Sequence, residues 1–302
     1  MNPYLKAMRL ERWPRSLAIF SGVAAFFFLY REEISSTPVL LFIGKSLVAF
    51  LLTWAISTAN YIINEIADAP FDIHHPSKRN RPLVKGEIKK IPLLLYGVML
   101  SLASLVIAYF FFSFSFFLAL LVLLLAGFMY NIKPVRTKDI PFLDSISESA
   151  NNPIRFLIGW FAFSSPHLFP PLSLLMSWWI FGNFLMISKR LSEFRLLKDK
   201  AEYYRSSLSK YTTNSLIFGI VLSVIFFFVG YFIFAFSYKL QSFIYFSPLV
   251  IFYFFLIFWK TLKEKEAMEE PETLLKQSKF TLYTFFLVFL FCLSYFIDTI
   301  GQ

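Results

Sequence analysis

The longest apolar runs decide which solvent this chain folds in. Ile91–Phe112 and Leu216–Phe236 contain no charged residue, and each is long enough to cross a hydrocarbon core that takes about 20 helical residues. Neither shows the apolar–polar alternation of a membrane-barrel strand, so their backbone polar groups must be satisfied internally, as helices. Of the 302 residues, 57% are hydrophobic and only 16% are charged, against about 25% charged in a soluble domain. A soluble globular enzyme is excluded. The chain reads as an all-α membrane protein, a single polytopic domain over residues 1–302 with no room for a separate extramembrane domain.

Apolar runs predict about nine spans: Trp13–Tyr30, Pro38–Ile63, Ile91–Phe112, Ser115–Tyr130, Pro141–Phe163, Pro171–Ile187, Asn214–Phe236, Ser247–Trp259 and Phe280–Ile297. The stretch from Ile91 to Tyr130 is about twice a bilayer in length, and Ser113 and Ser115 interrupt it. Alternating connections then carry the basic residues on one side. That side holds Lys6, Arg9, Arg12 and Arg15, the loop Lys78–Lys90, Lys133 to Lys138, Lys189 to Lys210, and Lys260 to Lys279. The opposite side has little beyond Arg31 and Lys239. The positive-inside rule makes the basic side cytoplasmic, N-terminus included. The net charge of +10 therefore reports topology and anion binding; no nucleic-acid partner is implied. The single cysteine, Cys292, lies in an apolar run and has no partner for an intrachain disulfide.

The second span does not end in an ordinary loop. Asn60, Asn64, Asp68 and Asp72 recur every four residues along one helical face, with Glu65 beside them and Pro70 in the last turn. Carboxylates clustered at a membrane border repel one another unless a cation neutralises them. Mg2+ suits such a site, because it prefers carboxylate oxygens, waters and substrate phosphates. Immediately after come His74, His75, Pro76, Ser77, Lys78, Arg79, Asn80, Arg81, Pro82 and Lys85. Bases beside acids fit a metal–phosphate complex lying between them. A second acidic pair, Asp144 and Glu148, opens the fifth span after Tyr130, Lys133, Arg136 and Lys138, and a polar stripe continues through Asn151, Asn152 and Arg155. A transporter would also carry intramembrane charge. Here the charge gathers at one face rather than at the midplane, and it combines acids with phosphate-type bases.

These motifs resemble those of the UbiA superfamily of intramembrane prenyltransferases, N-D-x-x-D-x-x-x-D and D-x-x-x-D. In this chain the first reads Asn64-Glu65-x-x-Asp68-x-x-x-Asp72 and the second Asp144-x-x-x-Glu148, with glutamate at two places where the pattern has aspartate. The resemblance implies nine helices around a central cavity under a cytoplasmic cap, and a Mg2+-dependent transfer to or from a polyprenyl lipid. It assigns Asp68, Asp72 and Asp144, with Glu65 and Glu148, to the metal. Lys138, Lys78, Arg81 and Lys189 would neutralise a departing diphosphate, and Asn64, Arg79, Tyr130, Glu148, Asn152, Arg155 and Arg190 would line the substrate. Partners implied are a diphosphate-bearing donor, a polyprenyl lipid and the surrounding membrane lipid; the oligomeric state stays open. Within the superfamily, His75–Pro82, Lys189-Arg190-x-x-Glu193 and Arg205–Thr212 are similar to the decaprenyl-phosphate phosphoribosyltransferase branch. Tyr130-Asn-Ile-Lys-Pro134 through Asp144 is similar to branches that prenylate an aromatic, quinone, carotenoid or glycerol-lipid acceptor.

Overall fold

The computed structural model describes residues 2–35, 37–73, 78–164, 168–197, 206–263 and 278–300, and among them there is no strand. The all-α expectation holds. The chain divides into two compact units, Met1–Pro170 with Tyr203–Ser207, and Pro171–Glu202 with Leu208–Gln302. The first contains α1 (Pro3–Ala7), a 3-10 helix over Leu10–Ala18, α2 (Ile19–Leu29), α3 (Arg31–Ser35), α4 (Val39–Asp72), α5 (Lys90–Phe111), α6 (Phe114–Asn131), α7 (Leu143–Ser149) and α8 (Asn151–Phe161). The second is built from α9 (Leu172–Leu197), α11 (Thr213–Ser237), α12 (Gln241–Lys263) and α13 (Ser278–Ile300); the one-turn α10 (Ser206–Ser209) has its first two residues, Ser206 and Ser207, in the first unit. Among the described residues seven helices (α4, α5, α6, α9, α11, α12 and α13) are long and apolar enough to cross a membrane.

The sequence places the α5–α6 break correctly. α5 ends at Phe111, and α6 starts at Phe114 with Ser113 as its N-cap, its Oγ accepting from the Phe116 N–H at 3.3 Å and donating to the Phe161 carbonyl at 3.1 Å. Ser113→Ala removes both contacts and is expected to cost about 1 kcal/mol, read as a small drop in unfolding temperature in detergent.

The first and fifth predicted spans are each divided. Pro14 lies inside the 3-10 helix that precedes α2, and with no N–H it cannot make the α-helical bond to the Leu10 carbonyl. In the fifth, Pro153 has no N–H to give the Ser149 carbonyl, and α7 gives way to α8 at Ala150. α9 runs to Leu197, ten residues past the apolar run that predicted it, because the Arg190–Glu193 pair (2.8 Å, i to i+3) sustains the helix where hydropathy falls.

In the first unit α4 packs against α5 and α6, α2 against α8, and α6 against α8. The α2–α8 crossing is made by two glycines. A Cβ on Gly22 would stand 1.9 Å from the Phe156 carbonyl oxygen, and one on Gly159 would stand 1.9 Å from that of Ile19. Small residues that let backbones touch are the usual glue between membrane helices. Beside the crossing, fully buried Trp160 meets Phe26 edge-on at 5.1 Å and donates its indole N–H to the Leu168 carbonyl at 2.8 Å. In the second unit α11 lies along α9, with Ser177 Oγ set against Gly230 and Asn183 donating to Ser223 at 3.2 Å. Asp298 near the end of α13 accepts from both the backbone and the hydroxyl of Ser242, capping the start of α12.

The length of α4 positions the site. Its 34 residues span about 51 Å at 1.5 Å per residue, so roughly 20 residues cross the hydrocarbon and the remainder, Asn60 onward, carries the motif beyond it. Pro70 lies within the last turn without breaking it, and the helix ends at Asp72.

Candidate active site

Three polar side chains of α4 take partners from α6 and the turn that follows it. Asn60 donates to the Leu123 carbonyl at 2.8 Å, packed so closely on Gly127 that a Cβ there would lie 2.1 Å from Asn60 Oδ1. One turn on, Asn64 donates to Asn131 Oδ1 at 2.9 Å, and Asn131 is itself fixed by donating to the Gly127 carbonyl at 2.9 Å. One turn further, Asp68 Oδ1 receives the ammonium of Lys138 and, at 3.5 Å, the Arg136 guanidinium. Lys138 also donates to Asn131 Oδ1 at 3.1 Å. Asn131 thus links the Asn64 and Asp68 steps of the ladder.

The turn carrying these bases is tightly built. Arg136 sits at φ 28°, a backbone region that residues with a Cβ rarely occupy. Its side chain donates to Asp139 at 2.8 Å and to the Asn131 carbonyl at 3.0 Å, and stacks over Phe71 at 4.7 Å. Lys138 is buried, its side chain 3% exposed, while Asp68 keeps 21% of its side chain accessible. Asp72 is engaged by Arg81 from the basic loop. Glu65 pairs with Arg9 at 2.5 Å and lies 3.7 Å from Arg81.

The second motif belongs to the same unit. A hydrogen bond at 2.8 Å between the Thr137 and Ser147 hydroxyls ties the Lys138 turn to α7. Asp144 is fully buried and accepts from the Ser207 hydroxyl at 3.0 Å. Glu148 accepts from the Tyr130 hydroxyl at 2.8 Å. Arg155, deeper along α8, donates to Ser57 of α4 at 3.2 Å. Asn152 is half-buried, one turn before Arg155.

In the basic loop Lys78 is half-buried and Arg79 exposed within a single 3-10 turn. His74, His75, Pro76 and Ser77 fall outside the described residues, as does Arg205. Lys189 and Arg190 sit on α9 in the second unit, half-buried and buried, with Arg190 paired to Glu193. Sequence reading missed Arg9 and Asn131 as site neighbours, and placed Arg136 only among flanking bases. Ser207 lay inside the quoted Arg205–Thr212 segment with no role attached to it.

The donor chemistry fits a hard divalent cation. Asn64, Asp68 and Asp72 present oxygens from one helix, and two more carboxylates come from α7. Among the described residues no three acids, histidines or cysteines already converge as a ready-made cage. Mg2+ seldom uses an all-protein cage; it binds through one or two carboxylates, retained waters and phosphate oxygens.

A model of the UbiA prenyltransferase family matches residues 18–287. The chain belongs to that family. The UbiA-family chain is 26% identical over 240 residues to the decaprenyl-phosphate phosphoribosyltransferase of Mycolicibacterium smegmatis, covering 77% of this chain and 70% of the relative. Its fold is similar to that of a UbiA homologue from Archaeoglobus fulgidus bound to GPP and Mg2+, with TM-score 0.69, 18% identity, and coverage of 96% and 98% of the two chains. A structure of digeranylgeranylglyceryl phosphate synthase is similar at TM-score 0.63 and 17% identity, over 99% of this chain and 98% of that one. The UbiA-family chain is an integral membrane transferase.

Proposed function

We propose that this UbiA-family protein transfers phosphoribose from phosphoribosyl diphosphate to a polyprenyl phosphate, with Mg2+ bound at its two acidic motifs and its catalytic face and N-terminus in the cytoplasm. The observation that carries this reading is the convergence of Lys138 and Arg136 on Asp68, flanked by Arg81 on Asp72. Acids and bases interleaved on the rim of a membrane helix suit a metal-bound diphosphate. The choice of donor follows the likeness to the mycobacterial enzyme and the His75–Pro82, Lys189–Glu193 and Arg205–Thr212 segments. In this reading residues 1–302 work as one transferase domain.

Asp68, Asp72 and Asp144 would hold Mg2+, with Glu148 at its margin and Asn64 lining the substrate. When bound, the ion offsets the negative charge of the donor and lowers the cost of diphosphate departure. Lys138 is the base placed to follow that charge. It donates to Asp68, and a diphosphate oxygen arriving there gains the same ammonium as donor. Lys78, Arg79 and Arg81 supply further positive charge, and Tyr130, Asn152 and Arg155 complete the substrate lining; the family resemblance alone assigns Lys189 to the diphosphate and Arg190 to the substrate. In the reaction the C1–O bond to diphosphate breaks, with the electron pair leaving on diphosphate. A lipid phosphate oxygen attacks the anomeric carbon, which has acquired cation character, and forms the new C–O bond.

Prenyl transfer to an aromatic, quinone, carotenoid or glycerol-lipid acceptor uses the same leaving group, and the Tyr130–Asp144 segment favours it. The two are separated by giving the purified protein ribose-labelled phosphoribosyl diphosphate with a polyprenyl phosphate, and, in parallel, a labelled prenyl diphosphate with a quinone-type acceptor. Label is expected in lipid in the first reaction, is lost on chelation, and returns with Mg2+. Label in lipid only in the second would overturn the phosphoribosyl assignment.

A further inference from the structure

We propose that Glu65 is a positioning residue, a buried counter-charge that locks the N-terminal segment and Arg81 in place, and not a ligand of the cation. This takes from the proposed function only that Asp68 and Asp72 hold the metal.

Glu65 is 1% exposed, whereas the Asp68 side chain keeps 21% accessible. A cation that retains several waters has room at Asp68 and little at Glu65. Glu65 and Asp72 lie about two turns apart on α4, and the Arg81 guanidinium stands between their carboxylates, where a cation shared by both would have to displace it. The guanidinium binds Asp72 through Nη1 and stands 3.7 Å from Glu65 through Nε.

The other partner comes from the N-terminus. Arg9, 9% exposed, reaches Glu65 at 2.5 Å from a left-handed backbone position, φ 51°, a conformation that persists when surrounding contacts enforce it. Arg12 and Arg15 are three apart within the 3-10 helix over Leu10–Ala18, of which Arg9 is the N-cap, and residues three apart eclipse in such a helix. Arg12 and Arg15 lie over the Tyr61 ring at 5.5 and 6.0 Å, one turn before Glu65. The chain Arg9–Glu65–Arg81–Asp72 thereby ties the first residues of the protein to the end of the motif helix. Glutamate suits this place better than the aspartate of the family pattern, because the extra methylene extends its carboxylate toward both guanidinium groups.

The test uses full-length protein in detergent, with Mn2+ as the probe, and compares wild type with Glu65→Gln, Glu65→Asp, Arg9→Met and Asp68→Asn. Metal-free unfolding temperature, the rate of tryptic cleavage between Lys6 and Arg15, and Mn2+ affinity by paramagnetic resonance are recorded. A hub predicts that Glu65→Gln, Glu65→Asp and Arg9→Met each lower the metal-free unfolding temperature by about 5 °C or more and speed cleavage at least tenfold. Mn2+ affinity should stay within about threefold of wild type in all three. Arg9→Met should also raise the donor KM with little change in kcat, through the displaced Arg81. If Glu65→Gln weakens Mn2+ binding thirtyfold or more while Arg9→Met leaves unfolding and cleavage unchanged, Glu65 is a ligand and the proposal fails. Should Glu65→Gln not fold, Arg9→Met decides alone, and wild-type unfolding and cleavage there would overturn the hub. Undiminished Mn2+ binding in Asp68→Asn counts instead against the metal assignment.

Discussion

Asp68→Asn is expected to reduce transfer by about a thousandfold or more while the protein still inserts and purifies as wild type. The asparagine keeps an oxygen that can accept from Lys138 and Arg136, so the turn Thr137–Asp139 retains a partner at the same place. What is lost is the charge. Asp68 keeps 21% of its side chain accessible while its partners are bases from a different segment, and a neutral amide cannot replace it toward a divalent cation. Asp72→Asn should behave similarly with a smaller structural effect on the turn, since its partner is Arg81. Initial rates across a Mg2+ series, together with the gel-filtration profile, check both. A wild-type rate at saturating Mg2+ in either variant would contradict a role at the leaving group.

The second large effect is on folding. Gly159→Val and Gly22→Val each place a branched side chain where a Cβ alone would stand 1.9 Å from a backbone carbonyl oxygen of the opposing helix. A side chain can rotate away from an intruder; the backbone of a packed helix can move only by separating α2 from α8. Overpacking usually costs about 1–3 kcal/mol, and a clash against backbone exceeds that range, enough to remove most of a typical domain's margin. Little monodisperse protein is expected from either variant. Gly44→Val is the control, because nothing lies within 4 Å of a Cβ there. A wild-type unfolding temperature for Gly159→Val would mean that the α2–α8 crossing is looser than described.

Where hydropathy and helix signals agree, the fold was legible. Ser113 marks the α5–α6 break because a hydroxyl at an N-cap satisfies donors that no apolar residue can. The limits of α11 and α13 follow their apolar runs to within three residues. α9 was underestimated because hydropathy stops at Ile187 while an internal ion pair carries the helix on. The divided first and fifth spans trace to Pro14 and Pro153, residues whose presence was visible but whose effect depends on which carbonyl they leave without a donor.

The site was legible along the chain and illegible across it. A four-residue period put Asn60, Asn64, Asp68 and Asp72 on one face, as found. The partners of that face come from far away in sequence: Arg9 is 56 residues from Glu65, and Lys138 is 70 from Asp68. Charge counting assigned Arg9 to topology alone. Nothing in its sequence position set it apart from Arg12 and Arg15, because its reach to Glu65 depends on the left-handed backbone at Arg9. Asn131 was legible only as part of the Tyr130–Asp144 segment, with no role attached to it, because one amide at the end of an apolar helix does not show what it will face.

The most direct test of the central assignment is the stoichiometry of diphosphate release. Purified protein with Mg2+, phosphoribosyl diphosphate and a polyprenyl phosphate should release one diphosphate for each ribose that enters the lipid phase, with neither product formed by Asp68→Asn. Ribose transfer without matching diphosphate, or diphosphate released only when a prenyl diphosphate is the donor, would contradict it.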